Sequence, residues 1–378
     1  MRKNIFISVY ILFFLFILIS CGGNVSKESA GKQTMEYAKD FTVDYRDGYR
    51  IVDVINPWDT TLILQRYILV DKTAALPDSL PAGTLVRTPV ERVVTASAID
   101  VATIAELGHL NSEAGCFEAE YVYDPAAKEK INAGEITDLG PARMMNIEPL
   151  LVLNPEIVFV SPFKGEGYGV MEKARIPLAE VASYMEYTPL GRSEWIKFYG
   201  EFYNERALAD SIYNEVRNSY NGIKNIVKKV PYSPKLLVEK RYGQVWYVPA
   251  GDSYAVNLYT DAGADYPWSG SKGTGSLSLS FEEVFSKAHD ADYWIFRYFD
   301  PSGDMIYSKL AAEYPQYSSF KAFKERKIYV CNTGKTDYYG TVSLQPDMEL
   351  RDIAKILHPE LFTDVPFVYY EKLAEDEE

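Results

Sequence analysis

The chain has 378 residues and a formal net charge of −14. An acidic surface argues against nucleic acid and against electrostatic attachment to anionic lipid, both of which need clustered cations. The length suits two domains of ordinary size, and 30 tyrosines with 5 tryptophans supply rigid aromatic surface for a core or for a binding cleft.

Arg2 and Lys3 precede an uncharged apolar run from Ile5 to Ile19. That run is shorter than the roughly 20 residues a membrane span requires, so residues 1–20 read as a secretory signal. The sequence Leu18-Ile19-Ser20-Cys21 resembles a bacterial lipobox, which implies a lipid on the Cys21 sulfur and cleavage before it. Cleavage removes Arg2 and Lys3 and takes the net charge from −14 to −16. Residues 21–40 are small and polar and read as a tether. Cys116 and Cys331 fall in different halves of the chain and are expected to be separate buried thiols.

After the tether, FTVDYRDGYRIVDVINPW and TLILQRYILV alternate apolar and polar residues around turns, the pattern of a β-hairpin or meander. From Arg92 onward strands and helices alternate. Strands are predicted at 92–96, 114–117, 156–161 and 178–182, and helices at 99–107, 147–153 and 168–174. Two helical segments follow, 193–203 and 205–229. The second carries Leu208, Ile212, Val216, Tyr220, Ile223 and Val227 near helical spacing. A second alternating unit then begins at Lys235, with strands at 292–297 and 327–331 and helices at 254–262, 304–313 and 347–357. The fold class is therefore α/β: two Rossmann-like lobes, parallel sheets covered by helices, joined by one long helix and led by an N-terminal β-hairpin or meander. The domain limits are 41–192 for the first lobe, 193–230 for the hinge helices and 231–378 for the second lobe.

The two lobes share a duplicated element. NIEPLLVLNPEIVFV (146–160) and SFEEVFSKAHDADYWIF (280–296) each open on a helix-capping residue, place a glutamate two positions later and end in an apolar strand. Glu148 and Glu282 stand 134 positions apart at equivalent sites. Two such lobes form a cleft. A single helical connection resists bending, so the cleft is expected to close little and to suit a bulky, rigid ligand.

RVVTASAIDVATIAELG, the DLG segment leading into NIEPLLVLNPEIVFV, KARIPLAEV, LSFEEVFSKAHDADYWIF and ELRDIAKILHPELF follow one another in an order that resembles the helical-hinge (class III) substrate-binding proteins of ABC importers. TPLGRSEWIKFYGEFYNE resembles the hinge of Bacteroidetes-type lipoprotein members. The likeness runs from about residue 90 to 365. It implies capture of a ferric siderophore, haem or cobalamin, no catalysis, and delivery to an inner-membrane ABC permease dimer with its ATPase. It also implies a monomer at the periplasmic face of the cell envelope, held by the lipid on Cys21. In the family a glutamate on each lobe docks on the permease, and the matching residues are Glu148 and Glu282. An acid in a first helical turn is also favoured locally by the macrodipole, and Ser280 with Glu283 fits a capping box that leaves Glu282 free.

Cleft-lining residues are expected on loops after strands. In the first lobe these are Ser97, the 117–123 stretch, Arg143, Phe163, Lys164 and Tyr184. In the second they are Tyr242, Trp246, Trp268, Arg297, Tyr298, Tyr338 and Tyr339. Aromatic rings offer flat contact surface, and arginines can pair with the oxygens of a chelate. Arg143 and Arg297 lead the set, since a charge at a strand or loop end is rarely buried without a partner. Gly165-x-Gly167-x-Gly169 lacks the full dinucleotide-binding spacing, and GSKGTGS (270–276) does not match a phosphate loop. His109, His289 and His358 form no close pair, which argues against a histidine-held metal site. No resident cofactor is expected. The alternative is an envelope lipoprotein enzyme acting on a glycan in the same cleft, for which the chain offers no catalytic constellation.

Overall fold

The computed structural model describes residues 31–142 and 146–376. Cys21 and Arg143, like the signal segment and the first part of the tether, lie outside the described residues. The strands are β1 (Gly31–Thr34), β2 (Phe41–Arg46), β3 (Tyr49–Ile55), β4 (Ile63–Asp71), β5 (Thr84–Thr88), β6 (Val93–Thr95), β7 (Glu113–Cys116), β8 (Thr137–Asp138), β9 (Ile157–Val160), β10 (Leu178–Glu180), β11 (Leu236–Val238), β12 (Arg241–Tyr242), β13 (Val245–Pro249), β14 (Ser276–Leu279), β15 (Tyr293–Tyr298), β16 (Ile328–Asn332) and β17 (Glu371–Lys372).

The expected hairpin is a five-stranded sheet of its own, β1 to β4 antiparallel and β5 added parallel to β4. Alternation turns Phe41, Val43, Val52, Val54, Tyr67 and Leu69 inward. The tether ends sooner than expected, because Gly31–Thr34 pairs with Thr42–Tyr45. The next residues are held by two buried carboxylates. Glu194 accepts the amides of Glu36, Tyr37 and Ala38 at 3.0, 2.7 and 3.0 Å. Glu186 accepts those of Lys39 and Asp40 at 2.8 and 3.1 Å. These partners lie about 150 positions away, so local composition could not reveal them.

The first lobe carries the sheet order β10-β9-β6-β7-β8, all parallel. Its central strands VVT and IVFV are buried throughout, as a strand covered on both faces requires. The helix expected at 168–174 is one turn, Val170–Lys173. Its N-cap Gly169 sits at φ 56 and ψ −111, a conformation open to glycine, and this stops the helix from starting earlier. The second lobe pairs β11, β15 and β16 in parallel with β17 antiparallel at the edge, beside an antiparallel sheet β12-β13-β14. The mixed α/β, two-lobed architecture of the sequence reading is present.

One 22-residue helix, Arg206–Val227, about 33 Å long, joins the lobes. Its buried stripe is Ala209, Tyr213, Val216, Tyr220, Ile223 and Val227. Ala209 and Tyr213 belong to the first core, and the four residues from Val216 onward belong to the second. Leu208, expected in the stripe, is exposed instead, because a 3-4 spacing counted back from Val216 selects Tyr213 and Ala209. The helix Ile196–Tyr203, expected as part of the hinge, packs into the first core through Ile196, Phe198, Tyr199, Phe202 and Tyr203. Cys116 and Cys331 are buried free thiols, each pushed up to about 12 by burial.

Burial, with the Glu186 carboxylate beside it, pushes the Asp40 carboxyl up to about 7. Burial, with Glu172 nearby, does the same to Glu180. The native state therefore holds both protons to higher pH than the unfolded chain. The stability linked to them is full below the ordinary carboxylate range and is lost as pH rises to about 7. Urea midpoints are expected to fall between about pH 4 and about pH 7. Asp40→Asn with Glu180→Gln should flatten that fall, and an unchanged slope would assign it to other groups.

Candidate ligand cleft

The carboxyl ends of the first-lobe strands open on a cavity of about 780 Å³. Ser97 follows β6, Ser161 and Phe163 follow β9, and Glu118 follows β7; Glu166 and Tyr168 complete the rim. Glu118 holds a left-handed backbone, φ 55, and its carboxylate accepts the Ala142 amide at 3.1 Å. Phe163 is 50% exposed. Tyr184 supports it from behind: its ring centroid lies 5.8 Å from that of Phe163, and its hydroxyl donates to the Pro162 carbonyl.

The second lobe presents a cavity of about 640 Å³. The β12–β13 hairpin contributes Tyr242 and Tyr247, the end of β15 contributes Arg297, Tyr298 and Phe299, and Tyr339 closes the rim. Tyr242 is 83% exposed, and Phe299 and Tyr339 are each 57% exposed. Large rings left this open around a concavity mark a contact surface. The Arg297 guanidinium forms the floor, ion-paired to Glu239 and donating to the Tyr338 hydroxyl at 2.8 Å. The lobes touch beside the second cavity, where Tyr121 of the first lobe meets Phe299 of the second with ring centroids 6.4 Å apart. Each volume lies within the usual range of roughly 300–1,000 Å³ for small-molecule sites.

A family model described as periplasmic binding protein matches residues 93–333, more than half of the chain. The chain belongs to this family. It is a binding protein of ABC transport, not an enzyme. It is 27% identical over 354 residues to an uncharacterized lipoprotein of Methanocaldococcus jannaschii, covering 87% of this chain and 82% of the relative. Its fold is similar to that of a TroA-like periplasmic binding protein from Veillonella parvula, with a TM-score of 0.57 and 18% identity over 76% of this chain and 96% of that one. It is also similar to the structure of an ABC-type Fe3+-hydroxamate transport system from Saccharomonospora viridis, with a TM-score of 0.55 and 18% identity over 71% of this chain and 93% of that one.

Of the expected set, Ser97, Glu118 and Phe163 line the first-lobe cavity of this binding protein, with Tyr184 behind Phe163 and exposed Lys164 beside it, and Tyr242, Arg297, Tyr298 and Tyr339 line the second-lobe cavity. Two tryptophans need correction. Trp246 is wholly buried, its indole N–H donating to the Val238 carbonyl at 3.0 Å, and Trp268 packs against Tyr266 with centroids 5.6 Å apart. On β13 the period of two turns Trp246 inward and Tyr247 outward, so Tyr247 is the cleft residue. Tyr338 is also buried and reaches the cleft only through Arg297. Sequence reasoning missed Tyr168, Tyr247 and Phe299; strand parity could have found Tyr247, and adjacency to Tyr298 could have found Phe299.

The duplicated glutamates are both exposed in first helical turns, Glu148 on Ile147–Leu153 and Glu282 on Phe281–Ala288. Capping is done by other residues. Asn146 accepts the Glu148 amide at 3.1 Å, and Ser280 with Glu283 forms a complete capping box. Val152, one turn beyond Glu148, is 83% exposed.

Proposed function

We propose that the chain captures a bulky metal chelate, foremost a ferric siderophore, between its lobes and delivers it to an inner-membrane ABC permease and its ATPase. The pair of cavities, several hundred Å³ each and one on either lobe, carries this reading, and the Tyr121–Phe299 contact between the lobes supports their use as one site. A helix whose halves are rooted in different cores keeps the site open at nearly constant width, which suits a rigid cargo. The likeness to the Saccharomonospora viridis structure of an ABC-type Fe3+-hydroxamate transport system supports the same cargo class. Glu148 and Glu282 dock on the permease, and the lipid on Cys21 holds the protein at the periplasmic face of the envelope.

The exposed rings of Tyr242, Phe299, Tyr339 and Phe163 also favour a planar macrocycle, haem or cobalamin, as a second cargo. A tyrosine hydroxyl can serve as an axial iron ligand.

Hydrogen exchange with and without each chelate tests the site. The expected result is simultaneous protection of residues 161–169 and 297–300, on opposite lobes. Protection confined to one lobe, or to the N-terminal sheet, would contradict a shared cleft.

A further inference from the structure

Behind the cleft a line of polar contacts runs from one wall to the other through the interior. It begins at Arg297 in the floor of the second-lobe cavity, which donates to the Tyr338 hydroxyl at 2.8 Å. Tyr338 in turn donates to Oε1 of Glu349. Glu349 lies on the helix Pro346–Leu357 and is 2% exposed. Its Oε2 accepts from the Tyr254 hydroxyl at 3.2 Å. The Arg192 guanidinium stacks on the Tyr254 ring at 4.0 Å. Arg192 then donates to the backbone carbonyls of Tyr184 and Glu186 at 2.7 and 3.2 Å. Tyr184 ends the line, supporting Phe163 in the first-lobe cavity.

Every link here is made by a group that pays heavily for being left alone. A buried carboxylate needs compensating donors, and Glu349 finds them in two tyrosine hydroxyls that come from different segments. The cations Arg192 and Arg297 lie on either side of it, and Arg297 is also held by Glu239. The crossing between lobes is flanked by Ser193 Oγ donating to the Leu344 carbonyl at 2.7 Å and by Asn257 Nδ2 donating to the Tyr187 carbonyl at 2.9 Å. A set of this kind has few alternative arrangements, because shifting one member strands its neighbours.

We infer that Glu349 is a positioning residue for the cleft: through Tyr338 it holds Arg297 in the second wall, and through Tyr254 and Arg192 it holds the first wall at a fixed distance from it. The inference rests on the cleft being the ligand site, and it makes the two walls one preorganised surface. Ligand binding then spends little free energy on bringing the lobes together.

Hydrogen exchange of the full chain in detergent micelles tests this without any ligand, so its outcome is separate from that of the chelate titrations. In Glu349→Gln, amides at 183–187 and at 297–300 are expected to exchange about tenfold faster together, while β9 and β11 keep their protection. Tyr254→Phe keeps the ring under Arg192 and removes one hydroxyl, so it serves if the first variant does not fold; it should raise the same two segments. Adding Arg192→Met to Glu349→Gln should give no further increase, since both cut one line. Acceleration confined to the second lobe, no acceleration in either variant, or additive effects of the two substitutions would each overturn the inference.

Discussion

Arg297→Met is expected to lose about 2–3 kcal/mol of unfolding free energy, and adding Glu239→Gln to it is expected to restore most of that loss. The pair is partly enclosed, with side-chain exposures of 29% and 22%. Removing the guanidinium alone leaves the Glu239 carboxylate in the cavity floor without its counter-charge. Breaking a fully buried pair costs about 3–5 kcal/mol, and partial exposure here places the figure lower. Removing both charges leaves no ion stranded. Tyr338 loses a donor but keeps its bond to Glu349. Urea unfolding of the two singles and the double measures the coupling. A double variant as unstable as the sum of its parts would show that Arg297 contributes by packing.

Reversing both exposed glutamates, Glu148→Arg with Glu282→Arg, is expected to reduce cellular chelate uptake by about a hundredfold or more while leaving chelate affinity unchanged. Neither carboxylate is needed where it stands. Asn146 caps one helix and the Ser280–Glu283 box caps the other, so the local loss is the macrodipole contribution of roughly 0.3–1 kcal/mol per site. The melting temperature should therefore change little. Single Glu→Ala variants should give intermediate losses of about tenfold each. Normal uptake in the double reversal would place permease docking elsewhere on the surface. A parallel fall in affinity would place one of these glutamates in the cleft.

The contrast between Trp246 and Tyr247 shows what was legible in the chain and what was not. Helix periodicity, capping residues and strand alternation are local, so the duplicated helix–strand units and the long hinge helix could be read directly from residues 146–160, 205–229 and 280–296. The side of a strand that faces a ligand is not local. It depends on which sheet the strand joins, and β13 joins a small antiparallel sheet whose inner face is the second core. The tether was misjudged for a similar reason: Gly31–Thr34 has no apolar alternation, and Glu194 and Glu186 fasten the residues after it from about 150 positions away. The line from Arg297 to Tyr184 is the extreme case. Arg192, Tyr254, Glu349 and Arg297 carry no pattern along the chain, and the packing of the Pro346–Leu357 helix against the segments that carry Arg192 and Tyr254 brings them together.

The most direct test of a shared chelate cleft is calorimetric titration of the protein with ferric hydroxamate and ferric catecholate siderophores, haem and cobalamin, with metal-free siderophores as controls. Calorimetry is preferable to tryptophan quenching because Trp246 and Trp268 lie in the core. Saturable one-to-one binding of a metal-loaded chelate is expected, with the metal-free form binding far more weakly, and loss of that binding when Tyr121 and Phe299 are both replaced by alanine. No heat from any member of the panel, or binding that survives removal of both rings, would contradict the shared cleft.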